Sequence, residues 1–412
     1  MLDSGLVATP NPRQARGVTT SVPLRPSATP DWAHSPLANS PLANREQAKR
    51  EQATPERAPL PPVGPAWYGS VMGTGMLATL LQMVGGHHVP ALAPLGLLLL
   101  GWLLLVGLSV GFVGRVVTRP GTLRASVTVP AQFMGWGMVS MGVLSIGSAT
   151  ATVLPAHWPA ATALAWRIDG ALWLIGTALG WAAALYFLWL MRSANTCDAT
   201  FTWGLPGVAP MVTATTGAVL SDSLPAGLPR LLVLLASGAS FALALGLGVT
   251  VFVLAYSQHW TRARLADSLA PTAWIPLGIV GQSTAAADSL AGRLSALLSE
   301  QASADLTRIA QGYGLTMLAL GVPLAGWAAW RTARAFAAHI GFTPAWWSLT
   351  FPVGTLSLGS HLLGARLDSP VIQAVPVATL VCLVGTWTIA ATGTVQALAR
   401  LSRGWAPRSA NA

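Results

Sequence analysis

Ten apolar segments follow the first 64 residues of the chain, and every second one is interrupted by Pro and Gly. No other feature constrains the fold as strongly. A helix in lipid must satisfy its backbone hydrogen bonds internally. Interrupted helices are therefore tolerated only where protein or a water-filled cavity covers the freed groups. The alternation predicts five interrupted helices around a central path and five regular helices outside them.

The segments read as 66–84, 90–112, 130–153, 168–191, 203–221, 229–256, 272–291, 311–330, 344–364 and 371–399. Runs of about 20 apolar residues are long enough to cross a bilayer core. Only 9% of the 412 residues are charged, against about 25% in a typical soluble domain. Mean hydropathy is +0.56. The fold class that follows is an all-α integral membrane protein. Its ten transmembrane helices form five helical hairpins around a central pore, with the odd helices lining it. Segments five and seven are weakly hydrophobic and become credible spans only if neighbours shield them from lipid.

Odd segments carry the candidate kinks: Gly73, Gly142, Pro206, Pro210, Pro276, Gly281, Pro352 and Gly354. They also carry hydroxyls and amides. Thr74, Ser140, Thr215, Gln282 and Thr355 are the candidate polar lining, and Ser145, Thr213, Thr216, Ser283 and Thr350 belong to the same group. Segments two, four and six are rich in Leu and Ala, while eight and ten contain Pro323 and Pro376. Small residues also permit close helix approach, so Gly alone does not define a pore. Gly, Pro and hydroxyls together, confined to alternate helices, favour one.

Residues 1–64 are rich in Pro, Ala, Ser and charge, with a small repeat at Ser35–Asn39 and Ser40–Asn44. Such a stretch cannot bury enough apolar surface to offset its ordering entropy, and a disordered cytoplasmic tail is expected. Residues 65–400 form the transport domain and 401–412 a short basic cytoplasmic tail. The net charge of +10 comes from Arg scattered over short loops and tails. That pattern sets membrane orientation and does not indicate nucleic-acid binding. It places both termini in the cytoplasm of a multi-pass plasma-membrane protein. Cys197 and Cys382 imply no disulfide framework, and the adjacent His87 and His88 are too few to hold a metal. No cofactor is called for. Short loops leave no room for a soluble catalytic domain, which argues against an enzyme.

Charge inside the segments is sparse. Asp288, His361, Asp169 and Arg167 are the candidates, and Asp288 and His361 fall towards the outer ends of their spans. Buried ionisable groups mark proton relays or ion sites. These two residues would support a proton-coupled exporter; interfacial solvation or a local ion pair is the competing reading. A polar, uncharged path instead suits a small anion, stabilised by hydroxyls and helix N-termini. Segment nine adds Trp346, Trp347, Phe351 and Pro352. A Phe beside a kink can plug the path, since apolar constrictions gate pores. Taken alone, Phe351 reads better as ordinary packing between helices.

The stretch Trp346-Trp347-Ser-Leu-Thr-Phe351-Pro352-Val-Gly354 resembles the ninth-helix motif of the tellurite-resistance/dicarboxylate transporter family. That family includes the plant slow anion channel, fungal malate permeases and sulfite pumps. Residues 67–77, 203–220 and 275–286 resemble its first, fifth and seventh helices, the last through Gly278, Gly281 and Gln282. The resemblance implies helical hairpins around a quasi-fivefold axis and a homotrimer with one pore per protomer. It also implies that Phe351 is the pore-occluding residue. The expected cargo is an inorganic anion, sulfite or a C4-dicarboxylate; tellurite resistance would follow indirectly.

Overall fold

The structure, a computed structural model, describes residues 60–86, 89–192, 199–261, 264–367 and 369–404, with side chains through Leu401. The expected N-terminal tail up to residue 59, His87, His88, Cys197 and the basic end beyond 404 lie outside the described residues.

Ten helices of 17 residues or more run through the described chain. They are α1 (Tyr68–Val84), α2 (Leu92–Thr118), α3 (Gly135–His157), α4 (Thr162–Met191) and α5 (Gly204–Leu220). Then follow α6 (Leu228–Thr261), α7 (Ile275–Leu294), α8 (Glu300–Ala337), α9 (Phe351–Leu367) and α10 (Pro370–Gly404). Six of these are long and apolar enough to cross a bilayer: α2, α3 extended back to Pro130, α4, α6, α8 and α10.

Burial separates two sets. Of the apolar stretch of α3, 83% is buried within the protein, against 17–33% for α2, α4, α6, α8 and α10. Every residue of α5 is buried except Thr216 and Val219. The large apolar side chains left exposed, such as Leu103, Val322 and Val371, fall on the outer set and its connections. Among the described residues none lies on α1, α3, α5, α7 or α9. Weakly apolar α5 and α7 are thus covered by protein, which removes the need for a greasy surface.

The inner helices close a ring: α1 packs on α3, α3 on α5, α5 on α7, α7 on α9, and α9 returns to α1. Each outer helix packs on the inner helix that precedes it. Glycine sets the closest approach. A Cβ on Gly281 of α7 would fall on the Thr355 backbone of α9, and one on Gly359 would fall on the Gly281 carbonyl oxygen. Gly73, Gly142 and Gly354 likewise lie against neighbours, at Thr350, Val71 and Met76.

Two features differ from the sequence reading. Pro206, Pro276 and Pro352 occupy the first turns of α5, α7 and α9. There the missing N–H has no intrahelical acceptor to lose, so these prolines begin helices and do not kink them. Of the four candidate kink prolines, Pro210 alone lies within its helix. Second, α8 starts at Glu300, eleven residues ahead of the expected segment 311–330. Ser299 caps it by accepting the Ala302 N–H at 3.4 Å, and Arg308 pairs with Asp305 at 3.0 Å. Backbone hydrogen bonding carries this helix beyond the apolar window into polar sequence.

Candidate functional site

The site begins with how the chain enters α9. Pro344–Leu349 forms a 3-10 turn. Its Trp347 donates from Nε1 to Thr394 Oγ1 on α10 at 3.1 Å, and Thr350 Oγ1 donates to the Trp347 carbonyl at 2.7 Å. The Thr350 side chain occupies the space that a side chain on Gly73 would need. This seats Phe351 as the first residue of α9, only 1% exposed.

Phe351 meets one apolar contribution from each of the other inner helices: Met72, Met141, Leu205 with Val208, and Ile275. The gap left among them is about 10 Å³. That is at the lower limit for holding a single water. The ring is therefore shut by apolar side chains at this level.

One turn further along, the ring opens into a cavity of about 270 Å³. The register repeats: Met76, Ser145, Val212 and Gln282 line the cavity, each four residues after Met72, Met141, Val208 and Gly278 of the constriction. Four residues correspond to about 6 Å of helix rise. Leu358 and Leu362 of α9 and Trp166 of α4 complete the wall. Thr79, Ser148, Thr152, Thr215 and Thr216 supply further hydroxyls, and no lining side chain carries a formal charge at neutral pH.

Most of these hydroxyls are tied to backbone carbonyls. Thr79 donates to Gly75 at 3.0 Å, Thr152 to Ser148 at 2.8 Å, and Thr216 to Val212 at 2.8 Å. Thr215 reaches both Met211 O at 3.2 Å and Gln282 O at 3.3 Å. Ser145 Oγ and Gln282 Oε1 are buried without a partner. An unpartnered buried polar atom is costly unless something else enters to satisfy it. Ser145 is a free hydroxyl donor to the same space.

The other candidate lining residues face neighbouring helices. Thr74 Oγ1 accepts the Trp387 indole N–H of α10 at 3.0 Å. Ser140 donates to Gly176 O of α4 at 2.7 Å. Thr355 donates to Pro352 O at 2.8 Å and Leu277 O at 3.3 Å. Indoles of outer helices recur as such ties, Trp102 to Thr150 Oγ1 and Trp173 to Thr213 O, both at 3.1 Å.

Charged groups gather beyond the cavity. Asp288 Oδ1 pairs with Arg366 Nε at 2.6 Å, linking α7 to α9. Asp222 pairs with Arg293 at 2.6 Å and Arg230 at 3.5 Å. His361 is half-buried, one residue before cavity-lining Leu362. Asp169 is buried on α4 against Gly147. Arg167 lines an outward groove of about 920 Å³, which Trp166 separates from the cavity. Sequence reasoning passed over Trp166, because nothing in an outer segment marks one indole as reaching the centre.

Residues 62–395 match the SLAC1 family, described as voltage-dependent anion channels. The sulfite efflux pump of Trichophyton rubrum is 26% identical over 328 residues, covering 74% of this chain and 83% of that protein. Those of Arthroderma benhamiae and Arthroderma otae are 25% and 24% identical, covering 74% and 79% of this chain and 83% and 88% of their own lengths. The chain belongs to the SLAC1 voltage-dependent anion channel family and is a multi-pass membrane protein of anion transport, not an enzyme.

Proposed function

We propose that small anions move passively along the axis of the inner ring, and that Phe351 is the gate. In this reading all ten helices cross the membrane as five hairpins around a central pore, inner helices lining it. The observation that carries it is the stacked pair of levels: an apolar constriction of about 10 Å³ at Phe351 and a polar, uncharged cavity of about 270 Å³ one turn beyond. Apolar constrictions gate by steric block or dewetting, and a site without fixed charge releases its ion readily. The substrate class is an inorganic anion of sulfite size, with C4-dicarboxylates as the larger option. The fungal relatives, named sulfite efflux pumps, favour sulfite. The Arg distribution favours cytoplasmic termini in the plasma membrane, and the family resemblance favours a homotrimer.

Proteoliposomes with membrane potential and pH gradient set independently test the gate. Chloride, nitrate, sulfite, malate and succinate would be compared for the parent and Phe351→Ala. Flux should follow the potential, ignore the pH gradient, and rise about tenfold or more in the variant as the apolar block is removed. Unchanged flux in well-folded Phe351→Ala would remove the gate assignment.

A second reading, a proton-coupled exporter, draws on His361 beside the cavity and on the pump names of the relatives. Asp288 is already engaged by Arg366, which weakens it as a free proton carrier. Flux that requires the pH gradient at clamped potential, and is lost in His361→Gln, would select this reading.

A further inference from the structure

At the end of the molecule where the inner helices begin, α6 and α8 both pack on α7 and leave a recess of about 360 Å³ beside them. It is lined by Trp260, Trp327 and Trp330 together with Arg264, Arg331 and Arg334. Trp260 and Trp327 belong to a connected aromatic floor. Trp260 and Trp327 are 6.0 Å apart, and Tyr256 lies 4.8 Å from the first and 5.6 Å from the second.

The three arginines are not equivalent. Arg331 is held in place, pairing with Asp267 at 3.1 Å and donating to the Leu265 carbonyl. The Arg334 guanidinium lies 5.4 Å from the centre of the Trp330 ring, within cation–π range. Arg264 and Arg334 have no carboxylate partner among the described residues. Among the described residues the recess thus carries three guanidinium groups against one carboxylate, with aromatic walls.

Its position selects the ligand. Trp260 and Trp330 are 59% and 52% exposed at the ends of two outer helices. Exposed indoles at helix ends are the mark of the headgroup level of a bilayer. Deeper along the same helices, Val249 and Val253 of α6 and Leu320 and Val322 of α8 are exposed, offering surface to acyl chains. A soluble anion would use the arginines but gain nothing from that surface.

We propose that this recess binds the phosphate headgroup of an anionic phospholipid from the adjoining leaflet. Basic pockets between membrane helices are suited to such headgroups, and guanidinium offers paired donors to phosphate oxygens. Lipid binding here would brace the ends of α6 and α8 against each other.

Native mass spectrometry of the purified full-length protein tests this, in micelles containing phosphatidylglycerol and phosphatidylcholine. The parent should retain phosphatidylglycerol selectively, and excess inorganic phosphate should not displace it. Each arginine near the membrane surface contributes about fivefold, so the Arg264→Gln/Arg334→Gln double variant should bind roughly thirtyfold more weakly. Arg334→Gln alone should lose about fivefold and serves if the double variant does not fold. Arg119→Gln/Arg124→Gln, outside the recess, should bind as the parent does. Equal retention of the two lipids, or undiminished binding in the recess variants, would overturn the proposal. Displacement by inorganic phosphate would also overturn it, since the recess would then be a soluble-anion site.

Discussion

Helices α7 and α6 are neighbours of opposite character. The first, on the inner ring, carries Gln282, Ser283, Thr284 and Asp288, all buried. The second presents Leu232, Leu235, Val249 and Val253 outward. Both contain glycine, yet a Cβ on Gly281 would strike the backbone of α9 while one on Gly246 would meet nothing within 4 Å. The same residue type is a packing requirement where a helix faces protein, as at Gly281 and at Gly248 of α6 against Ile279, and incidental at Gly246. What surrounds a helix, protein or lipid, decides both the polarity it can carry and the side-chain volume it can bear.

That contrast is open to direct attack. Gly281→Ala should destabilise the protein by up to about 3 kcal/mol through overpacking against a backbone that cannot yield. Gly246→Ala should be neutral or stabilising by ~0.5–1 kcal/mol, since alanine is the better helix former. Thermal unfolding in detergent reads both, and equal tolerance at the two sites would dissolve the distinction. A smaller effect separates ion pairs. Arg366→Ala leaves the buried Asp288 unpaired on the inner ring and should cost about 2 kcal/mol, largely restored by adding Asp288→Asn. Arg308→Ala removes an exposed pair on α8 and should cost well under about 1 kcal/mol.

The smallest contrast lies within the inner ring. Thr74→Val deletes the acceptor for Trp387 and should cost about 1 kcal/mol while leaving anion flux unchanged. Gln282→Leu should do the reverse, lowering flux several-fold with little loss of stability, because its Oε1 has no protein partner. If Thr74→Val altered flux and Gln282→Leu did not, the cavity would not be the path.

The alternation of helix type was legible because hydropathy responds to lipid, and five of the segments needed little of it. Direction around each inner helix was not legible. Amphipathic periodicity reports which face is buried, and α5 buries every residue but Thr216 and Val219. With nearly all faces covered, no sequence pattern separates Thr215, which lines the cavity, from Thr74, Ser140 and Thr355, which bind neighbouring helices. Pro352 misled for a different reason. A proline reads alike as a kink or as the first turn of a helix, and only the 3-10 turn ahead of α9 decides which. Glu300 as the start of α8 was hidden because polar residues end an apolar window without ending a helix.

The hydrogen bond from Trp387 to Thr74 joins residues 313 positions apart, across the seam where α9 meets α1 and α10 meets α1. During synthesis α1 therefore emerges long before its partners exist. At roughly 5–20 residues per second, the intervening chain takes roughly 15–60 s to emerge. For that interval the glycine-rich, hydroxyl-bearing side of α1 has no α9 to cover it, and the nascent chain is an open horseshoe. The ring is completed by α9 and α10, the last helices translated, so a truncation anywhere before residue 351 leaves every earlier helix in an unfinished ring.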